Sequence, residues 1–194
     1  MIQYRIDKNT LLNTLAVWNG RLHRKMHLIA CGGTALTLLN IKESTKDADF
    51  LVPKEDEYKY LLRILKDMGY KNVSNAGWAT GKGFVFDLYP GKKIFMTELL
   101  ESPLEAGNNI PLKEFDRIYI GILNFYDLII SKIFRYTTVD MADCLDLFKA
   151  KSDEINIDKL KERFRETSSY DVSDEKNKKH FAHFLNLLKK GVDI

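Results

Sequence analysis

An apolar run, His27 to Cys31 (HLIAC), that stops at two consecutive glycines constrains this chain more than any other feature. The run has the length and character of a buried strand. The residues after Gly32-Gly33, Thr34-Ala35-Leu36-Thr37-Leu38-Leu39, predict the start of a helix. Glycine reaches positive φ without strain and lets another group come close to the backbone. A strand, a glycine turn and a helix N-terminus leave N–H groups unsatisfied, which suits phosphate. Thr34 is placed to cap that helix, to bind a phosphate oxygen, or both. Gly-Gly-Thr alone also fits an ordinary tight turn.

Three aspartates follow in order. Lys46-Asp47-Ala48-Asp49-Phe50 lies on a predicted strand ending at Pro53. Strand alternation puts Asp47, Asp49 and Leu51 on one face and Ala48, Phe50 and Val52 on the other. Two carboxylates on one face of an apolar segment call for cations, hydrogen bonds or a raised pKa; a strand edge facing water is the plain alternative. The third, Asp87, sits in Gly83-Phe84-Val85-Phe86-Asp87-Leu88-Tyr89, an aromatic and branched strand. A neighbouring strand would bring Asp87 to the same place, to hold a metal and help deprotonate a hydroxyl; an isolated charge at a strand end is the alternative. Hard oxygen donors with room for phosphate suit magnesium or manganese. The ordered set describes equipment for a nucleoside triphosphate (NTP) and a divalent metal.

The stretch Ile29 to Pro53 resembles the signature of the DNA polymerase beta-like nucleotidyltransferase superfamily: a glycine turn opening a helix, a carboxylate-x-carboxylate pair and a later third carboxylate. It is most similar to small prokaryotic nucleotidyltransferase-like proteins, including AbiEii-type toxins of toxin–antitoxin pairs, through Ser44-Thr45-Lys46-Asp47-Ala48-Asp49. Where those toxins often carry an arginine ahead of the serine, this chain has Lys42 nearby. The resemblance implies Mg²⁺ (or Mn²⁺) held by Asp47, Asp49 and Asp87, which are also the catalytic residues. It implies nucleotide contacts from Gly32, Gly33, Thr34 and Lys46.

In the second half, Lys132, Arg135 and Asp143-Cys144-Leu145-Asp146 resemble a Lys…Arg…Asp-x-x-Asp pattern of the same group. The resemblance carries nucleotide contacts to Lys132 and Asp143, for which a solvent-facing helix pair is the alternative. The implied activity moves a nucleoside monophosphate from NTP to an acceptor hydroxyl on RNA such as the 3′ end of tRNA, on protein, or on a small molecule. An antitoxin partner would follow from a toxin role. A catalytically inactive nucleotide- or partner-binding module of the same fold is the other reading.

The expected fold is α/β (α+β): a small mixed sheet with flanking helices over residues 1–122, and a helical C-terminal lobe over 123–194. Asp7 to Arg24 has helical spacing with Asp7 as cap, and Lys54 to Met68 is amphipathic, ending near Gly69. Asn72 to Tyr89 predicts a hairpin around Gly81-Lys82-Gly83, and Ile94–Thr97 and Arg117–Ile122 predict strands joined by a loop containing Pro103, Gly107 and Pro111. Four helices follow: Phe125–Tyr136, Met141–Lys151, Ile157–Arg165 and Glu175–Lys190.

At 194 residues, with 45% hydrophobic and 29% charged residues, the chain is long enough for a real core of ordinary composition. Its net charge of +3 permits a nucleic-acid partner without arguing for one. Cys31 and Cys144 read as buried free thiols of a reducing compartment. With no signal peptide, and the apolar stretch near Ile118–Phe134 broken by Asn124, Asp127 and Lys132, the expectation is a cytoplasmic protein with no membrane span. Gly77-x-x-x-Gly81-Lys82-Gly83 is too short for a P-loop. His180-x-x-His183 reads as a helix-face pair, and Arg21, Arg24 and Lys25 as a solvated helix end. Trp78 and Tyr89 read as packing residues rather than base-stacking ones.

Overall fold

The computed structural model describes residues 5–81 and 83–191, so Lys82 of the predicted hairpin tip lies outside the described residues. The chain divides into two compact units: Met1–Lys93 with Glu101–Asn124, and Ile94–Leu100 with Phe125–Ile194. The helical part thus begins at Phe125 and includes a short segment from earlier in the chain.

The first unit holds β1 (Ile6–Asp7), α1 (Lys8–Asn19), β2 (Met26–Ala30), α2 (Gly32–Leu38), β3 (Ser44–Thr45), β4 (Asp47–Val52) and α3 (Glu55–Asp67). It continues with β5 (Lys71–Asn72), β6 (Gly77–Ala79), β7 (Val85–Pro90) and, after β8 (Lys93–Ile94) and β9 (Thr97–Glu98), with β10 (Asn109–Glu114) and β11 (Ile118–Leu123). Asp7 caps α1 as its position predicts, its carboxylate accepting from the Thr10 N–H at 2.8 Å. The helix stops at Asn19, short of Arg24, so Arg21, Arg24 and Lys25 fall on the following loop. Gly69, at φ +85°, supplies the left-handed turn after α3.

Seven strands form one mixed sheet in the order β10-β11-β2-β4-β7-β6-β5. β4 lies between β2, antiparallel to it, and β7, parallel to it. β6 and β7 form the expected hairpin, pairing Gly77 with Asp87 and Trp78 with Phe86. Two segments depart from expectation. The single strand expected over Ile94–Thr97 is instead two short strands, β8 and β9, paired with each other around a turn that holds Phe95 at φ +51°. Residues 109–114, expected as a loop because of Pro111, form edge strand β10, whose register shifts between Pro111 and Lys113. Proline lacks the N–H a central strand needs, but an edge strand with a bulge tolerates it.

The sheet face carrying Trp78 and Phe86 is packed. Phe86 lies 4.3 Å from the Trp18 ring of α1, and the Lys66 ammonium of α3 sits 5.7 Å over Trp78, which is buried. Trp78 is therefore a core residue, on the opposite face from Asp87.

The second unit contains α4 (Phe125–Arg135), α5 (Thr138–Ala150), α6 (Ile157–Ser169) and α7 (Asp174–Gly191). Its core includes Phe164 and Phe181, stacked 4.0 Å apart. α5 opens with a capping box, Thr137 and Asp140 each bonding the other's backbone N–H. Among the described residues, no helix is long and apolar enough to cross a membrane. Both cysteines are buried and neither is in a disulfide.

Candidate active site

β4 and β7 run parallel in a register that pairs Asp49 with Asp87. Residues aligned across neighbouring strands share a face, and alternation adds Asp47 to it. The three aspartates therefore occupy one strip of the sheet. Asp49 is buried, Asp87 half-buried and Asp47 exposed.

The backbone of this strip is clamped by hydroxyls. The Asp47 carbonyl accepts from Thr34 Oγ1 at 3.1 Å and from Thr45 Oγ1 at 3.0 Å. The Asp49 N–H donates to Thr34 Oγ1 at 2.7 Å, and the Asp49 carbonyl accepts from the Cys31 N–H at 3.1 Å. Thr34 thus sits inside the first turn of α2 and fastens that helix to β4. It does not cap the helix: residue Cys31 holds the cap position and its side chain makes no capping bond.

Both glycines of the turn are needed. Gly32 adopts φ +56°, and a β-carbon there would overlap the Asp49 carboxylate. A β-carbon on Gly33 would come within 2.7 Å of Thr45 Oγ1. On the other side a β-carbon on Gly77 would overlap Ser74 Oγ and crowd Val85 and, at 3.1 Å, Asp87 Oδ1. Close approach of the carboxylates to bare backbone is what these positions provide.

Burial pushes the Asp87 carboxyl above its ordinary value, and the negative charge of Asp47 pushes it further. Among the described residues no basic side chain forms an ion pair with Asp47 or Asp87. A hard divalent cation fits this donor set, which is all carboxylate and is held at a charge that a cation would relieve. Among the described residues no three His, Cys, Asp or Glu side chains already converge as a metal cage. Lys46 is exposed, immediately before Asp47.

An arginine that sequence reading did not single out reaches the same segment. Arg5 donates from Nε to Ser44 Oγ at 2.8 Å and from its terminal nitrogen to the Ser44 carbonyl at 2.7 Å. Pairing of β1 with β3 brings it there across 39 residues of sequence, which no local pattern announces. Tyr89 falls on the carboxylate face, paired in register with Leu51.

Lys132 and Asp143 are in the second unit and face each other. Lys132 Nζ lies 2.6 Å from Asp143 Oδ2 and 3.6 Å from Asp140 Oδ1, and only 2% of the lysine is exposed. The pair is buried, not solvent-facing. Arg135 closes the network by donating to both oxygens of Asp140. Burial pushes the Asp140 carboxyl up, but bonds from Arg135 and Thr137 outweigh it and hold the group below its usual range. His180 and His183 both contact Tyr136, one by stacking at 3.6 Å and one through the phenol at 2.7 Å.

A family described as nucleotidyltransferase of unknown function (DUF6036) matches residues 109–190, a span that excludes the three aspartates. Among solved structures the chain is similar to the crystal structure of ANT(2″)-Ia in complex with adenylyl-2″-tobramycin, with a TM-score of 0.56 at 14% identity over 83% of this chain and 96% of that one. It is similar too to the solution structure of the antibiotic-resistance factor ANT(2″)-Ia, with a TM-score of 0.55 at 15% identity over 82% and 91% of the two chains. The chain shares the fold of ANT(2″)-Ia. At these identities the likeness is one of fold. No protein of curated function matches the chain in sequence.

Proposed function

We propose that the protein is a metal-dependent nucleotidyltransferase that moves a nucleoside monophosphate from an NTP to an acceptor hydroxyl. The observation that carries this is the register pairing of Asp49 with Asp87 beside a left-handed Gly32. Asp47 and Asp49 would hold magnesium or manganese, with Asp87 completing the set. When bound, the metal supplies charge neutralisation at the phosphates.

The remaining work falls to the chain's own groups. The first N–H groups of α2, on Gly32, Gly33 and Thr34, have no intrahelical partners and hold the non-reacting phosphates. Lys46 brings an ammonium to the same anion. Asp87, whose raised pKa favours taking up a proton, orients the acceptor hydroxyl and accepts its proton as oxygen attacks the α-phosphorus and pyrophosphate leaves. Positioning and charge carry most of the rate, as in phosphoryl transfer generally.

A second reading, an inactive nucleotide- or partner-binding module, draws on Lys132, which is spent on Asp143 instead of standing free for a nucleotide. A toxin role restrained by an antitoxin is a narrower form of the first proposal and rests on the Ser44–Asp49 resemblance.

Isothermal titration with each of the four NTPs, with Mg²⁺ and with EDTA, tests the assignment on wild type and Asp47→Asn/Asp49→Asn. The expected result is metal-dependent binding of at least one NTP that the double variant loses, followed by transfer of label to an acceptor pool. Equal binding by the variant removes the assignment.

A further inference from the structure

The charge of the second unit is unevenly distributed. From Phe125 to Glu175 the chain carries eight Lys and Arg against twelve Asp and Glu. From Lys176 to Gly191 it carries five lysines and two histidines with no acidic residue. All sixteen of these residues lie on α7.

The helix sorts them. Asn177, Phe181, Phe184 and Leu188 are buried. Lys176, Lys179, His183 and Lys190 are exposed and recur at i, i+3, i+7 and i+14, which draws them into one stripe at 100° per residue. At 1.5 Å per residue the stripe runs about 21 Å. Lys178 is compensated, bonding Asp174 at 2.6 Å and Glu175 at 3.1 Å. Among the described residues Lys176, Lys179 and Lys190 have no acidic partner. Helix stability does not explain the first of these. Lys176 sits in the first turns of α7, where the macrodipole disfavours a cation. The local field is strong enough that, besides burial, Lys176 and His183 help hold the neighbouring His180 below its ordinary pKa.

We infer that the exposed stripe of α7, Lys176, Lys179, His183 and Lys190, docks the sugar–phosphate backbone of a single-stranded RNA. The inference rests on the proposed transfer to a hydroxyl, since RNA carries both a polyanionic backbone and free ribose hydroxyls. The alternatives fit less well. Phe181, Phe184 and Leu188 of α7 are taken up by the core, and of its large apolar residues only Leu185 and Leu187 are partly exposed, too few to insert into a lipid surface. The one large apolar side chain on the stripe, Leu187, is only partly exposed, so it offers no fully exposed anchor of the kind protein interfaces centre on. A row of lysines without apolar anchors suits an evenly charged strand.

Fluorescence anisotropy of a labelled single-stranded RNA, titrated with full-length protein at several salt concentrations and without NTP, tests this separately from transfer. The variant is Lys176→Glu/Lys179→Glu/Lys190→Glu, with Lys176→Gln/Lys179→Gln/Lys190→Gln as a milder companion. Lys149→Glu/Lys159→Glu/Arg165→Glu makes the same net-charge change elsewhere in the unit. The expected result is salt-sensitive binding by wild type and control, with the slope of log affinity against log salt flatter by about 2 in the stripe variants, for three lost phosphate contacts. Circular dichroism shows whether each variant is folded. Absence of RNA binding by wild type, equal loss in the control, or preference for anionic vesicles overturns the inference. Because NTP is absent, failure here leaves the carboxylate site untouched, and failure of nucleotide titration leaves this result standing.

Discussion

The carboxylate strip of the sheet and the ion network of the helical unit hold similar groups in opposite states. In the network, Lys132, Asp140, Asp143 and Arg135 satisfy one another, and Asp140 is held ionised below its usual range. On the strip, burial pushes the Asp87 carboxyl up and repulsion from Asp47 adds to it. Buried charges that neutralise each other are parts of a structure. Carboxylates left in mutual repulsion, and given room by Gly32 and Gly77, are a cost the fold carries for a ligand.

The largest expected effect that separates the two regions is at Lys132. Lys132→Met takes the ammonium away from buried Asp143, and from Asp140 beside it, and should cost about 3–5 kcal/mol, a fall in Tm of roughly 10 °C. Lys132→Met/Asp143→Leu should recover most of it, because a matched apolar pair replaces a broken ion pair. A double variant no more stable than the single one would show that the network is not the reason for burial. Calorimetry of the two proteins decides.

Gly32→Ala should come next. A left-handed residue with a β-carbon costs about 1–2 kcal/mol, and this one must also displace the Asp49 carboxylate. Tm should fall by about 5 °C, with metal-dependent nucleotide binding lost in the same variant. Retained binding would separate the turn from the site.

The smallest effect has the opposite sign. Asp87 has a folded-state pKa above its unfolded one, so its ionised form opposes folding at neutral pH, and that opposition disappears as pH falls through the raised value. Asp87→Asn should therefore raise Tm by about 2 °C at neutral pH, abolish transfer, and match wild type in acid. Asp140, with a lowered pKa, contributes stability above the ordinary carboxylate range that is lost as pH falls through the lowered value. Melting curves across pH on Asp87→Asn and Asp140→Asn should diverge from wild type in opposite directions.

Much of the strip was legible because its signals are local. Alternation over Asp47–Val52 put two aspartates on one face, and two glycines after a buried run marked the turn. The Asp7 cap and the boundaries of α4 and α7 were legible for the same reason. Pro111 misled, because proline reads as a loop until an edge strand with a bulge accommodates it. Lys132 and Asp143 were picked out by pattern, but nothing in their spacing said that they would bury against each other.

The sequence by itself determined which residues carry charge, which segments alternate and that the chain turns at Gly32 and Gly69, since these depend on neighbours a few residues away; the left-handed turns at Asn40, Phe95 and Tyr136 carry no such local signal. Tertiary structure alone decided that Asp87 pairs with Asp49, that Arg5 reaches Ser44, that the Thr34 hydroxyl fastens α2 to β4, and that Lys132 meets Asp143. Those relations join positions far apart in the chain, and only strand register and helix packing bring such positions within hydrogen-bond distance.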